Sequence, residues 1–145
     1  MKSILAVALV VIAGAVCGSI ARAAAPQNGR TTWSGIFTDA QARRGQALYE
    51  EQCASCHGPD LAGADQAPAL VGAEFNAGWN DLALSDLFER IRISMPADKP
   101  GTLKPEQVAD VLAFVLSKGG FPASETELPA QTDTLKDMKF LSKQP

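Results

Sequence analysis

The chain has 145 residues, 46% of them hydrophobic and 20% charged, and thirteen Lys and Arg against sixteen Asp and Glu give a formal net charge of −3. That length suits one domain, and an acidic balance provides no field to gather phosphate backbones, which excludes a general nucleic-acid binder. The apolar fraction and the lack of repeats or low-complexity tracts exclude a disordered or solenoid chain.

Lys2, the apolar run from Ile4 to Val16 and the small residues Ala21 to Ala25 form the three parts of a secretory signal peptide, 1–23, with cleavage expected after Ala23. Its apolar core is shorter than the ~20 residues that cross a bilayer, so no stable membrane span is expected; an uncleaved anchor is the competing reading. Cys17 follows Val16, where a lipoprotein cleavage site would need a small residue. Loss of Lys2 and Arg22 leaves eleven basic residues against sixteen acidic, an acidic exported protein expected in the periplasm.

Residues 24–37 show no sustained period and read as an extended leader. Thr38-Asp39-Ala40-Gln41 fits a capping box, with the Gln41 side chain reaching back to the first turn. Ala42, Gly45, Leu48, Tyr49 and Gln52 follow at helical spacing, and Gly45 on the inner face points to close backbone approach or to a tolerated surface glycine. Gly58 to Asn80 has loop composition, long for so small a domain, and such loops are uncommon unless functional. Leu84, Leu87, Phe88 and Ile91 restore helical period over about 85–93, with Ser85 or Asp81 as candidate caps and Pro96 as terminator. Pro105 opens a helix with Val108, Val111, Leu112, Val115 and Leu116 on one face, ending at Gly119-Gly120. A domain over 38–120 is therefore expected, followed by a polar tail, 121–145, with few core candidates. The fold class is small and all-α, with a protein core too thin for its size unless something else completes it.

Cys53-Ala54-Ser55-Cys56-His57 is the C-x-x-C-H signal for covalent attachment of c-type haem: two thiols meet the two porphyrin vinyl groups and the adjacent imidazole is delivered to the iron. One covalently attached haem c would also complete the thin core and fill the long loop. A Cys53–Cys56 disulfide would leave His57 unexplained, a thioredoxin-like pair lacks its βαβ context, and a zinc site lacks ligands. A single histidine excludes bis-histidine ligation within the chain. Met95, after an amphipathic helix and before Pro96, is the candidate sixth ligand; Met138, in the polar tail, is the weaker one, and an ordinary core role is the alternative for Met95.

These residues resemble a class I c-type cytochrome. The likeness covers about 39–119 and rests on Gly45 to Tyr49 leading into Cys53 to Gly58, on Pro68 to Gly72, and on Ser94-Met95-Pro96 before a last helix. The resemblance implies a small helical domain wrapped around the haem. Gly45 and Tyr49 would lie where the first helix crosses the last, near Leu112 and Val115. The Pro68 carbonyl would accept from the outer nitrogen of His57, and Trp79 would bond or cover a haem propionate, or else serve as an apolar lid. The tail is similar to extensions on single-haem cytochromes that accompany quinoprotein dehydrogenases. The function implied is one-electron transfer between redox partner proteins, a dehydrogenase as donor and a terminal oxidase as acceptor, rather than catalysis. The alternatives are a haem enzyme or gas sensor with an open sixth site, and a dedicated subunit of a dehydrogenase complex.

Overall fold

A computed structural model describes residues 29–64 and 67–145. The expected signal peptide and residues 24–28 of the leader lie outside them. The order is a 3-10 turn, Thr32–Ser34, then helices α1 (Asp39–Gln52), α2 (Ala54–His57), α3 (Ala73–Trp79), α4 (Leu84–Ser94), α5 (Pro105–Lys118) and α6 (Thr132–Leu135). Among the described residues there is no strand, only isolated bridges such as Thr31 with Lys139. No described helix is long and apolar enough to cross a membrane. The fold is all-α, as the periodicity requires.

Thr38 caps α1 by accepting from the Gln41 N–H at 3.0 Å. The other half of the expected capping box does not form. Gln41 is buried, and its side chain spans to the tail, donating from Nε2 to the Leu128 carbonyl (3.0 Å) and accepting from the Leu128 N–H (2.7 Å). One amide thereby satisfies both polar groups of a buried backbone residue, a stronger demand than a solvent-accessible helix start.

Helix α5 begins with Pro105 in its first turn and stops at Gly119-Gly120, the latter at φ +83°. It crosses α1 at Gly45. A Cβ there would lie 1.8 Å from the Asp110 carbonyl oxygen and 3.0 Å from the Phe114 Cβ, so only a residue without a side chain admits this crossing. One turn on, the buried Tyr49 ring lies 5.2 Å from that of Phe114. The close-approach reading of Gly45 is thus the correct one: the crossing meets α5 at Asp110 and Phe114, with Val115 in the same cluster as Tyr49 and Leu112 in the main core.

Three sequence expectations need revision. Residues 58–80 are not loop throughout, because α3 occupies Ala73–Trp79; its aromatic residues pack against one another, with Phe75 and Trp79 rings tilted and 6.3 Å apart. Helix α4 uses neither Ser85 nor Asp81 as a side-chain cap; the Leu84 N–H instead donates to the Met138 carbonyl at 2.9 Å. The core is also larger than expected. Ile36 and Phe37 from the leader and Phe121, Leu128, Leu135, Met138 and Phe140 from the tail are buried with Leu84, Phe88, Leu112 and Leu116 in one cluster.

Leader and tail hold each other as well. The Thr32 hydroxyl and the Trp33 indole N–H both donate to the Leu141 carbonyl at 2.9 Å, the Lys139 N–H donates to Arg30, and the Ser124 N–H to Phe37. The Arg30 guanidinium donates to the Gly35 carbonyl.

Gly45→Ala is expected to lower unfolding free energy by roughly 1–3 kcal/mol through overpacking, despite alanine's ~1 kcal/mol advantage in helix propensity. Gly78→Ala in α3, where nothing lies within 4 Å of an added Cβ, is expected to be neutral or stabilising; denaturant titration of the two variants separates the effects. A chain ended at Phe121 loses four large core residues and the α4 cap, and is expected to lose cooperative thermal unfolding rather than merely shed an appendage.

Candidate functional site

The C-x-x-C-H residues fold as a single turn fixed at both ends. Cys53 terminates α1, its N–H donating to the Tyr49 carbonyl at 2.9 Å. The Cys56 and His57 N–H groups return to the Cys53 carbonyl at 3.1 and 3.0 Å, so the two thiols stand three residues apart on one helical turn, where side chains are neighbours. Gly58 leaves the turn at φ +78°, a conformation that favours glycine. Both thiols are free. Cys53 is half-buried, and burial with the neighbouring Cys56 pushes its thiol up to about 11, opposite to the depressed values of disulfide-exchange cysteines.

His57 is buried, and its Nδ1 lies 2.8 Å from the Pro68 carbonyl oxygen. A carbonyl only accepts, so Nδ1 carries the hydrogen of this bond, and in the neutral ring that leaves the lone pair on Nε2, the tautomer a metal-ligating imidazole needs. Glycine makes that contact possible. Gly63 is at φ +80°, and a Cβ on it would come 2.6 Å from the Ala67 oxygen and 2.8 Å from the Pro68 carbonyl carbon; its N–H donates to the His57 carbonyl at 2.9 Å. The Tyr49 hydroxyl donates to the Gly58 carbonyl at 2.6 Å, and burial pushes its phenol up to about 12, so it stays a donor at any physiological pH. Leu61, fully buried at φ +63°, accepts from the Leu70 N–H at 2.9 Å and closes the loop. A leucine in this conformation is strained and is retained by what surrounds it.

Cys53, Cys56, His57 and Pro68 are therefore brought together. Trp79, half-buried, ends α3 and packs against Phe75 and the main core. Met95, half-buried, caps the C-terminus of α4, its N–H donating to the Ile91 carbonyl at 3.0 Å. Neither shares a hydrogen bond with the His57 set. Met138 is fully buried among Leu84, Leu135 and Phe140 and is taken up by the core. Two parts of the site escaped the sequence reading: the Tyr49 hydroxyl and Gly63. Both act on backbone atoms that folding alone brings near, and no spacing in the sequence signals them.

This site fits haem c. It offers two unpaired thiols on one turn, an imidazole with one nitrogen occupied and one available, and half-buried Ala54, Leu70, Val71 and Phe75 against the cluster of Tyr49, Leu61, Phe114 and Val115. The zinc alternative finds no group of three ligating side chains among the described residues. An all-helical fold with one such turn and one histidine defines a mono-haem c-type cytochrome.

Comparison with known proteins agrees. The family model described as "Cytochrome C oxidase, cbb3-type, subunit III" matches residues 40–115, and the chain belongs to that family. It is 33% identical over 76 residues to cytochrome c6 of Anabaena variabilis, covering 51% of this chain and 87% of that protein. It is 30% identical over 82 residues to the cbb3-type cytochrome c oxidase subunit CcoP of Rubrivivax gelatinosus, 56% of this chain and 27% of the relative's length. Among solved structures, the sulfane dehydrogenase SoxCD from Paracoccus pantotrophus aligns at a TM-score of 0.47 and 22% identity, over 83% of this chain and 67% of that one.

Gly63→Ala is expected to push the Pro68 segment off His57 and to destabilise the loop by roughly 1–3 kcal/mol. In proton NMR spectra of the diamagnetic reduced protein, the hydrogen-bonded Nδ1 proton of His57 is expected to shift upfield and exchange faster with solvent.

Proposed function

We propose that the chain is an exported electron carrier of the periplasm, with haem c bonded to Cys53 and Cys56 and its iron held by His57 and Met95. Haem c supplies an iron that changes oxidation state by one electron, and the polypeptide supplies ligands, burial and docking surface. The observation that carries the ligand assignment is one of elimination. Beyond Met1, Met95 and Met138 are the chain's methionines, and Met138 is fully buried in the main core. Met95 is the thioether left, on a helix end rather than inside the packing. Opposite an imidazole, a thioether raises the reduction potential and fills the position a substrate or gas would need.

Partners of this carrier are redox proteins met by charge-steered encounter. Charge along the chain supports local patches of either sign: between Arg44 and Arg90 no lysine or arginine occurs while carboxylates recur, whereas Arg90, Lys99 and Lys104 flank Met95. A quinoprotein dehydrogenase as donor and a terminal oxidase as acceptor suit an exported single-electron protein. A second reading, a cytochrome subunit working inside an oxidase or dehydrogenase complex, draws support from the CcoP match, because a similar segment there is part of a larger protein.

The oxidised protein is expected to show the near-infrared sulfur-to-ferric-iron band. Met95→Ala is expected to abolish it, lower the potential and admit carbon monoxide rapidly to the reduced form. A high-spin spectrum and fast gas uptake in the unaltered protein would refute ligation by Met95 and favour an open-site sensor or enzyme.

A further inference from the structure

The buried apolar side chains divide into two clusters that draw on different stretches of the chain. Seventeen form the main one, and among the described residues none of the seventeen lies between Ala42 and Leu84. The smaller one has Tyr49, Leu61, Phe114 and Val115, fringed by side chains only partly buried, among them Cys53, Leu70 and Val71. The haem-attachment turn and the loop that carries Pro68 therefore belong to the small cluster, and the main one is built without them.

The main cluster is also closed without them. Seven of its seventeen residues come from the leader and the tail, and the ties around it run between leader, tail and the start of α4. The Thr32 N–H donates to the Lys139 carbonyl at 3.0 Å, the Ser124 N–H to Phe37 at 2.7 Å, and the Leu84 N–H to Met138 and the Phe140 N–H to Leu82 at 2.9 Å. Small domains with too little core need a metal, a disulfide or a cofactor as a staple; here leader and tail supply the missing core instead. By contrast, residues 53–72 are closed chiefly on themselves, through His57 with Pro68, Gly63 with His57 and Leu70 with Leu61, around apolar side chains left half-exposed. Segments with few buried apolar contacts open separately from the rest of a fold.

We propose that the body formed by leader, α1, α4, α5 and tail folds before haem is attached, and that residues 53–72 alone await the haem. Attachment adds each thiol across a vinyl group: a carbon–sulfur bond forms, the thiol hydrogen passes to the neighbouring vinyl carbon, and no external oxidant or reductant is consumed. The reaction that supplies the cofactor thus acts on a folded scaffold that presents two free thiols, Cys56 exposed and Cys53 half-buried. The inference rests on haem c as the cofactor and needs neither Met95 as ligand nor electron carriage, so either can fail while the other stands.

The test is hydrogen exchange read by mass spectrometry on two full-length samples, the haem-loaded protein and the Cys53→Ala/Cys56→Ala chain freed of haem. Peptides from α4, α5 and the tail are expected to exchange within about tenfold of the loaded protein, and those from residues 53–72 about a hundredfold faster or more. The near-ultraviolet circular dichroism of Trp33, packed edge-on against Phe121, is expected to survive in the haem-free chain. Loss of protection throughout that chain would overturn the proposal and make haem the staple of the whole fold. Equal protection of residues 53–72 in both samples would overturn it too, since nothing would then await the haem. Should the double variant fail to fold, the unaltered chain, haem-free and with its thiols reduced, takes its place: the same split in protection there sustains the proposal, and its unfolding overturns it.

Discussion

The contact on which the rest of the molecule depends is the approach of the α1 backbone at Gly45 to the Asp110 carbonyl of α5. Because α1 runs directly into Cys53, the angle and depth of that crossing decide where the thiols and His57 stand relative to the apolar face of α5. Tyr49, one turn beyond Gly45, extends the control: its ring packs on Phe114 and its hydroxyl holds Gly58, the residue that leaves the haem-attachment turn. A displacement at Gly45 would reach His57 through a rigid helix and one hydrogen bond, with no flexible segment in between to absorb it.

Leader and tail brace that crossing from the far side, and magnitudes decide which contacts matter. Arg44 makes a bidentate pair with Asp110 and a second with Glu127, all at 2.9–3.0 Å, but it is half exposed, and exposed pairs are worth about 0–1 kcal/mol each. The neighbouring Gln41 makes two neutral bonds to Leu128 in a buried setting; loss of that side chain would strand a buried N–H and a buried carbonyl at roughly 1–3 kcal/mol apiece. The buried amide, not the charge network, fixes the tail. The Met138 carbonyl then caps α4, which gives the tail a direct hold on the helix that ends in Met95.

What the sequence discloses follows from how local each determinant is. The C-x-x-C-H turn, the Thr38 cap, the Pro105 start and the apolar face of α5 are encoded within a few residues, and all were legible, as was the all-α class. The Pro68 contact with His57 was reached through family resemblance rather than spacing, since its partners belong to separate segments. The buried role of Phe121, Leu128, Leu135, Met138 and Phe140 was not legible, because each stands among polar residues with no regular period and becomes core only through contact with the distant leader and α4. Helix α3 was hidden for a related reason: Gly72 precedes it without a side-chain cap, and its seven residues are held by Phe75 and Trp79 packing rather than by propensity.

Electron exchange is fastest when the groups around the iron hardly move between oxidation states, and the two candidate ligands are prepared for this to unequal degrees. His57 is bound at the ring by Pro68, at its carbonyl by Gly63 and at its N–H by Cys53, and the loop that carries Pro68 is closed by the strained, buried Leu61. Met95 has one backbone bond to Ile91 and a buried Pro96 beside it. Rigidity is thus concentrated on the imidazole side, where the covalent links already fix the haem. The thioether side is held by the end of a single helix, itself anchored through Leu84 to the tail. The tail therefore supports Met95, the proposed second ligand, from a distance, which ties it physically to the helical domain, although its composition reads as an appendage.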